Sequence, residues 1–268
     1  MVKKYHRVAE GFKKEDNSFE YYKKISRVII RSYNPKYWEP DLETRKRIDE
    51  KWQEKLKKNP NIYPGDLLRA VNIEFQKDGT MIIDTQLSTY KEHNLTMAEP
   101  DINKRGNCIY VGGDIVTSDK KMVFGLDNKV LKIIGGGVNP RRDIIFTPEN
   151  PNGKPNPEIG LTREIWEETG IHPSHYNLFP DHVVFVPEER HPLIMYLVKL
   201  VPNSKKVEEL FEDYKKECSF SGKPLEVSEI VCLGKYEIGD ILEDFEIFSP
   251  KDKAEIEYIQ ENVEYFLS

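Results

Sequence analysis

The chain has 268 residues, a formal charge of −6 at pH 7, and 38% hydrophobic against 32% charged residues. That length holds one large domain or two smaller ones, and the composition is that of an ordered, hydrophilic chain rather than a disordered one. The negative charge argues against broad nucleic-acid binding, which needs a basic stripe, and no apolar stretch approaches a membrane span. Cys108, Cys218 and Cys232 are odd in number and widely spaced, so reduced thiols in a cytoplasm are expected rather than a disulfide framework. The start Met1-Val2-Lys3-Lys4 has no apolar run behind it, so no signal peptide is expected.

Residues 1 to about 60 read as helical and polar. Within them Leu42 to Leu56 is amphipathic, with Ile48, Trp52 and Leu56 at four-residue steps, and Asn59-Pro60 ends it. Leu67 to Phe75 and Met81 to Leu87 read as strands joined at Asp78-Gly79. A polar stretch follows Thr89-Tyr90-Lys91, and a soft boundary near Gly106 divides a 1–105 α+β extension from a 106–268 domain. Past it, Cys108 to Val116 and Met122 to Leu126 form a hairpin, and Val130 to Ile134 runs into a glycine turn, Gly135-Gly136-Gly137. His182 to Val186 and Leu193 to Val201 make a second hairpin, Val207 to Glu217 a helix, Glu229 to Leu233 a strand, and Ala254 to Phe266 a terminal helix. The pattern predicts an α/β or α+β fold.

Between the hairpins lies the most informative segment. Asn156 suits an N-cap, Pro157 the first helical position, and Gly170 the residue after the last turn, with Pro173 barring continuation. A helix is therefore expected over 157–169, with Leu161 and Ile165 on one face and Glu164, Glu167 and Glu168 on a separate arc. Like charges at i, i+4 cost a few tenths of a kcal/mol in water. A divalent cation reverses that sign, because hard cations take carboxylate oxygens and bridge them to phosphates.

Arg163-Glu164-Ile165-Trp166-Glu167-Glu168-Thr169-Gly170-Ile171 resembles the second half of the Nudix box, and Gly135-Gly136-Gly137 its start. The first half departs from that pattern. The family's glutamate eight residues before the arginine is Pro155 here, and an insertion over 141–155 separates the glycines from the helix. Asp143 and Glu158 are the candidates to brace Arg163 instead. The resemblance implies a mixed sheet between helices and an enzyme using Mg2+, with Mn2+ as the alternative. It implies Glu167, Glu168 and the Gly135 carbonyl as metal ligands, and Glu164 as ligand or water activator. It also implies a catalytic set of Glu164, Glu168 and Arg163, and a phosphate approach at Gly136 and Gly137. A further acidic ligand is expected from Glu226 or Glu229, with Glu229 favoured because it opens an apolar strand. Glu189, in a hairpin loop, is a candidate for the substrate mouth.

Trp52, Leu56, Asn59-Pro60, Ile62-Tyr63, Arg69-Ala70 and Thr89-Tyr90-Lys91 resemble the leader of the Nudix branch that cleaves UDP-sugars. That resemblance implies UMP and a sugar 1-phosphate as products, and Tyr90 as a substrate contact. ADP-ribose or a dinucleoside polyphosphate is the alternative substrate, and a non-catalytic nucleotide sensor the alternative function. The expected partners are a small nucleotide and a second copy of the chain; no membrane or nucleic-acid partner is expected.

Overall fold

The computed structural model describes residues 22–268 except 98, 100, 128, 149, 186–190 and 248. In chain order its elements are β1 (Tyr22–Lys24), β2 (Arg27–Tyr37), α1 (Leu42–Lys58), β3 (Asp66–Phe75), β4 (Thr80–Thr89) and α2 (Tyr90–Thr96). There follow β5 (Tyr110–Val116), β6 (Met122–Asp127), β7 (Val130–Lys132), β8 (Ile134–Gly137), β9 (Ile144–Thr147), β10 (Asn150–Pro155) and α3 (Pro157–Thr169). The chain ends with β11 (Tyr176–Phe185), β12 (Pro192–Leu200), α4 (Ser204–Ser221), β13 (Glu229–Leu233), α5 (Lys235–Asp244), β14 (Glu246–Ile247), α6 (Pro250–Glu261) and α7 (Val263–Phe266).

These elements form a mixed α/β architecture. The large sheet runs β1-β11-β12-β5-β6-β7-β14, with β8 added to β5 and β13 to β6. Strand β5 is its pivot. It lies parallel to β12, pairs antiparallel with β8 through Tyr110–Gly113, and then changes partner to β6 at Ile115 and Val116. A smaller sheet, β2-β4-β3, precedes it, and β9 and β10 form a separate hairpin. Because side chains alternate along β5, Val111 and Ile115 face one layer while Asp114 and Val116 face the other.

The first layer is one continuous core. Leu68, Ile73, Met81 and Ile83 of the small sheet pack with Val111, Ile194 and Val198 of the large one and with Leu161 and Ile165 of α3. The expected boundary near Gly106 is crossed by backbone hydrogen bonds. Leu68 N–H donates to the Val138 carbonyl at 2.8 Å, and Ile109 N–H donates to that of Leu68 at 2.8 Å. On the opposite face, Phe124, Leu131 and Met195 are covered by Ile238, Ile241, Ile256 and Ile259 of the C-terminal helices. Among the described residues no helix is long and apolar enough to cross a membrane.

Several sequence expectations hold closely. Helix α1 starts where Asp41 accepts the Thr44 N–H at 2.9 Å, and it buries Ile48 and Trp52. The Asp78-Gly79 turn joins β3 to β4, with Gly79 at φ 84° where a side chain would be strained. Three expectations are corrected. The region before α1 is not helical throughout: 22–24 and 27–37 are strands, extended along β11 and β4, and β2 carries only the short apolar run Val28-Ile29-Ile30 before a mostly exposed polar half. The glycines lie in strand β8 rather than in a turn, because β5 pairs with them residue for residue. The terminal helix breaks at Asn262, whose φ and ψ of −112° and 21° leave the helical region, giving α6 and α7.

Candidate metal and phosphate site

Helix α3 forms where local chemistry places it. The Asn156 side chain accepts the Glu158 N–H at 2.8 Å, Pro157 opens the helix, and Gly170 closes it at φ 69° with its N–H on the Trp166 carbonyl. Leu161 and Ile165 are wholly buried and fix the helix on β8 and β5. That anchoring carries the neighbouring glutamates out of water: Glu164 is 7% exposed and Glu168 2%.

Glu164 and Glu168 meet a third carboxylate, Glu226, and oxygens of all three lie within 4.8 Å of one another. Glu226 sits in the loop entering β13, held there by its neighbour Val227, which is buried against Gly125. Lys132 of β7 places Nζ 2.5 Å from Glu168 Oε1, and the Gly135 N–H donates to Glu168 Oε2 at 3.1 Å. Burial pushes the Glu168 carboxyl up to about 7, against the pull of Lys132 and with help from Glu164 and Glu226. Burial also raises Glu164, although Arg163 opposes it. These are carboxylates that gain from a nearby cation.

The glycines fit this site by absence of side chain. A Cβ on Gly136 would overlap the Glu164 carboxylate, and one on Gly135, at φ 155°, would overlap the Val111 carbonyl. Gly137 offers its carbonyl to Arg163 Nη2 at 3.1 Å.

Arg163 is braced by Asp143. Its Nε lies 2.8 Å from Asp143 Oδ1 and its Nη2 3.0 Å from Oδ2, while Nη1 reaches Glu164 Oε1 at 2.8 Å and Glu167 Oε2 at 3.0 Å. Asp143 is wholly buried and also accepts the Asn139 N–H at 2.7 Å. The 141–155 segment is what brings Asp143 to Arg163. It is a closed excursion, the β9–β10 hairpin, and the Asn156 N–H returns to the Asp143 carbonyl at 2.8 Å. Arg141 tethers the base of the hairpin to the small sheet, with Nε 2.6 Å from Asp66 and Nη2 2.9 Å from the Tyr37 hydroxyl.

Other expected site residues lie elsewhere. Glu167 is held by Arg142 at 2.5 Å and by Arg163. Those hydrogen bonds outweigh its partial burial and keep its carboxyl below the usual range, and it stands outside the three-carboxylate group. Glu229 is an exposed residue of β13 opposite Leu126; the loop before the strand, rather than the strand, turns toward α3, so Glu226 joins the group in its place. Tyr90 packs edge-on against Trp52 of α1, and its hydroxyl accepts from Asn94. Glu189 lies outside the described residues. Lys132 and Arg142 also reach carboxylates of α3. Lys132 follows an apolar strand pattern that gives no sign of where its amine ends.

The sequence matches no protein-family profile and no curated protein. Among solved structures it is similar to a Sinorhizobium meliloti 1021 protein described as a candidate oxidoreductase, with 12% identity, a TM-score of 0.35, and 56% of this chain and 37% of that one covered. The chain therefore spans little more than a third of that protein. It is also similar to the MutT protein of Methanosarcina mazei Go1, with 14% identity, a TM-score of 0.31, and coverage of 58% and 94%. The NUDIX domain of Shewanella oneidensis NrtR, complexed with ADP ribose, aligns at 12% identity and a TM-score of 0.35 over 63% and 96%. At these scores the functional reading rests on the site itself.

Proposed function

We propose that this chain is a divalent-metal-dependent hydrolase of the Nudix type, cleaving the diphosphate of a nucleoside diphosphate joined to a second moiety. The observation that carries the reading is the juxtaposition of Glu164, Glu168 and Glu226 beside the Gly135–Gly137 strand, with Arg163 locked beneath. The donors are all oxygens, which fits Mg2+ or Mn2+. Such an ion held by these three residues would neutralise phosphoryl oxygens and lower the pKa of an attacking water.

The chain's own residues supply position and proton traffic. Arg163 occupies Oε1 of Glu164, so Oε2 is the oxygen we assign either to the ion or to the proton of the attacking water. Lys132 orients Glu168 and offsets part of its charge in a buried setting. Glu167, beside the group on the exposed side, would join it only by leaving Arg142, and it is the residue we assign to a further ion arriving with substrate. The absence of side chains at Gly136 and Gly137 makes room for the Glu164 carboxylate and for Leu67, which fill the places a Cβ would take.

The N-terminal resemblance supports a narrower reading: a UDP-sugar cleaved to UMP and sugar 1-phosphate, with residues 1–105 contributing to substrate selection. Product chromatography with Mg2+ on UDP-glucose, ADP-ribose and a dinucleoside polyphosphate tests both levels. Turnover by the wild type that is lost in Glu168→Gln is expected. Equal turnover by the two would refute the hydrolase reading, and consumption of ADP-ribose with UDP-glucose intact would refute the narrower one. Saturable nucleotide binding without turnover would mark a sensor.

A further inference from the structure

On the opposite face of the large sheet lies a second polar cluster that the hydrolase reading does not use. Asp114 of β5, His182 of β11 and Glu255 of α6 converge with their ligand atoms within 4.8 Å of one another. All three are buried to at least ninety-nine parts in a hundred. Around them lie apolar Val184, Met195, Ile256 and Ile259, and the rings of Tyr22 and Tyr258 pack against His182.

The cluster has the second shell that a metal-binding histidine needs. His182 Nδ1 lies 2.8 Å from Asp181 Oδ2, which directs Nε2 inward to within 2.9 Å of Glu255 Oε2. A carboxylate on the outer ring nitrogen, orienting the inner one as donor, is the recurring arrangement around histidine-bound zinc. Asp181 is itself pinned by Lys24 at 2.7 Å and by the Tyr265 hydroxyl at 2.6 Å. Adjacent strand residues normally point to opposite faces. Here the β11–β12 register slips between Pro180 and His182, making Asp181 the extra residue of a bulge. That irregularity lets Asp181 and His182 bond to one another, a use bulges commonly serve beside functional sites.

Apart from His182 Nε2, the inner side of the cluster offers no hydrogen-bond donor among the described residues. Among the described residues, neither carboxylate oxygen of Asp114 has a hydrogen-bond partner, and nor does Glu255 Oε1. Two buried carboxylates facing each other need a shared proton, a protonated His182 or a metal cation to balance them. One imidazole nitrogen and two carboxylates form a donor set suited to Zn2+, with Asp114 able to give both its oxygens.

We propose that Asp114, His182 Nε2 and Glu255 form an internal Zn2+ site that ties α6 to the centre of the sheet, independent of the α3 glutamates and of whether the chain hydrolyses nucleotides. In such a site His182 would bind as the neutral Nδ1–H tautomer, and the His182–Glu255 hydrogen bond would give way to two metal bonds. Because every ligand is buried, the ion would enter as the chain folds.

The test uses the full chain refolded with Zn2+ in a Glu168→Gln background, which weakens the other carboxylate group. Metal analysis after chelator washing should find about one tightly held zinc per chain. His182→Gln in the same background should lose it at least about tenfold, as loss of one ligand predicts. X-ray absorption at the zinc edge keeps the question open to refutation if His182→Gln fails to fold. Imidazole scattering together with oxygen neighbours supports the site. No retained zinc in the folded Glu168→Gln chain, zinc retained undiminished by folded His182→Gln, or a shell with no imidazole overturns it.

Discussion

Glu168→Gln offers the sharpest test of how the candidate site stores charge. Glu168 is 2% exposed and flanked by Glu164 and Glu226, and its carboxyl is pushed from an ordinary 4.5 up to about 7. Between those values the native chain holds a proton that the unfolded chain has released. The stability this provides is present below about 4.5 and is lost as pH rises through about 7. At 1.36 kcal/mol per pKa unit, the loss is about 3 kcal/mol. Glutamine cannot ionise, so the variant lacks this dependence. It also relieves Glu164, which makes the difference a property of the carboxylate group as a whole. Urea denaturation in the presence of a chelator, repeated from about pH 4 to 8, measures it. The stability of Glu168→Gln relative to wild type should rise by about 3 kcal/mol over that range. Adding Mg2+ at the alkaline end should stabilise the wild type and leave the variant nearly unmoved. A wild-type-minus-variant difference that stays flat to within about 1 kcal/mol across the range would refute the account of a buried, proton-holding carboxylate.

Gly136→Ala should leave the fold standing but displace the Glu164 carboxylate, lowering activity by about tenfold or more with a normal circular-dichroism spectrum; unchanged kcat/KM would count against the placement of β8 beside α3. Asp143→Ala removes both oxygens that brace Arg163 and leaves its guanidinium half-paired in a largely buried position, so a loss of about 3 kcal/mol is expected by urea denaturation. Arg141→Ala, by contrast, breaks an exposed tether and should cost no more than about 1 kcal/mol by the same measurement. Ile165→Ala empties a wholly buried position under the site and should cost about 2–5 kcal/mol, with Mg2+ affinity falling as α3 loosens.

What the sequence determined by itself was local. The ends of α3 follow from Asn156, Pro157 and Gly170, because caps and the left-handed glycine act within a few residues. The Asp78-Gly79 turn, the β13 strand and the apolar stripe of α1 are local in the same sense. The glutamate spacing placed Glu164 and Glu168 on one arc because i, i+4 geometry is a property of one helix. Tertiary structure decided everything that depended on two distant segments meeting. It chose Glu226 over Glu229, since the loop before β13, rather than the strand, approaches α3. It chose Asp143 over Glu158 as the partner of Arg163, because the inserted hairpin closes on itself at Asn156. It turned an expected glycine turn into strand β8 by giving it β5 as a partner, and it recruited Lys132 from a strand whose pattern says nothing about its amine. The Asp114–His182–Glu255 cluster was the least legible of all. Its members come from two strands and a helix, and the bulge that aligns Asp181 with His182 exists only once β11 is paired with β12.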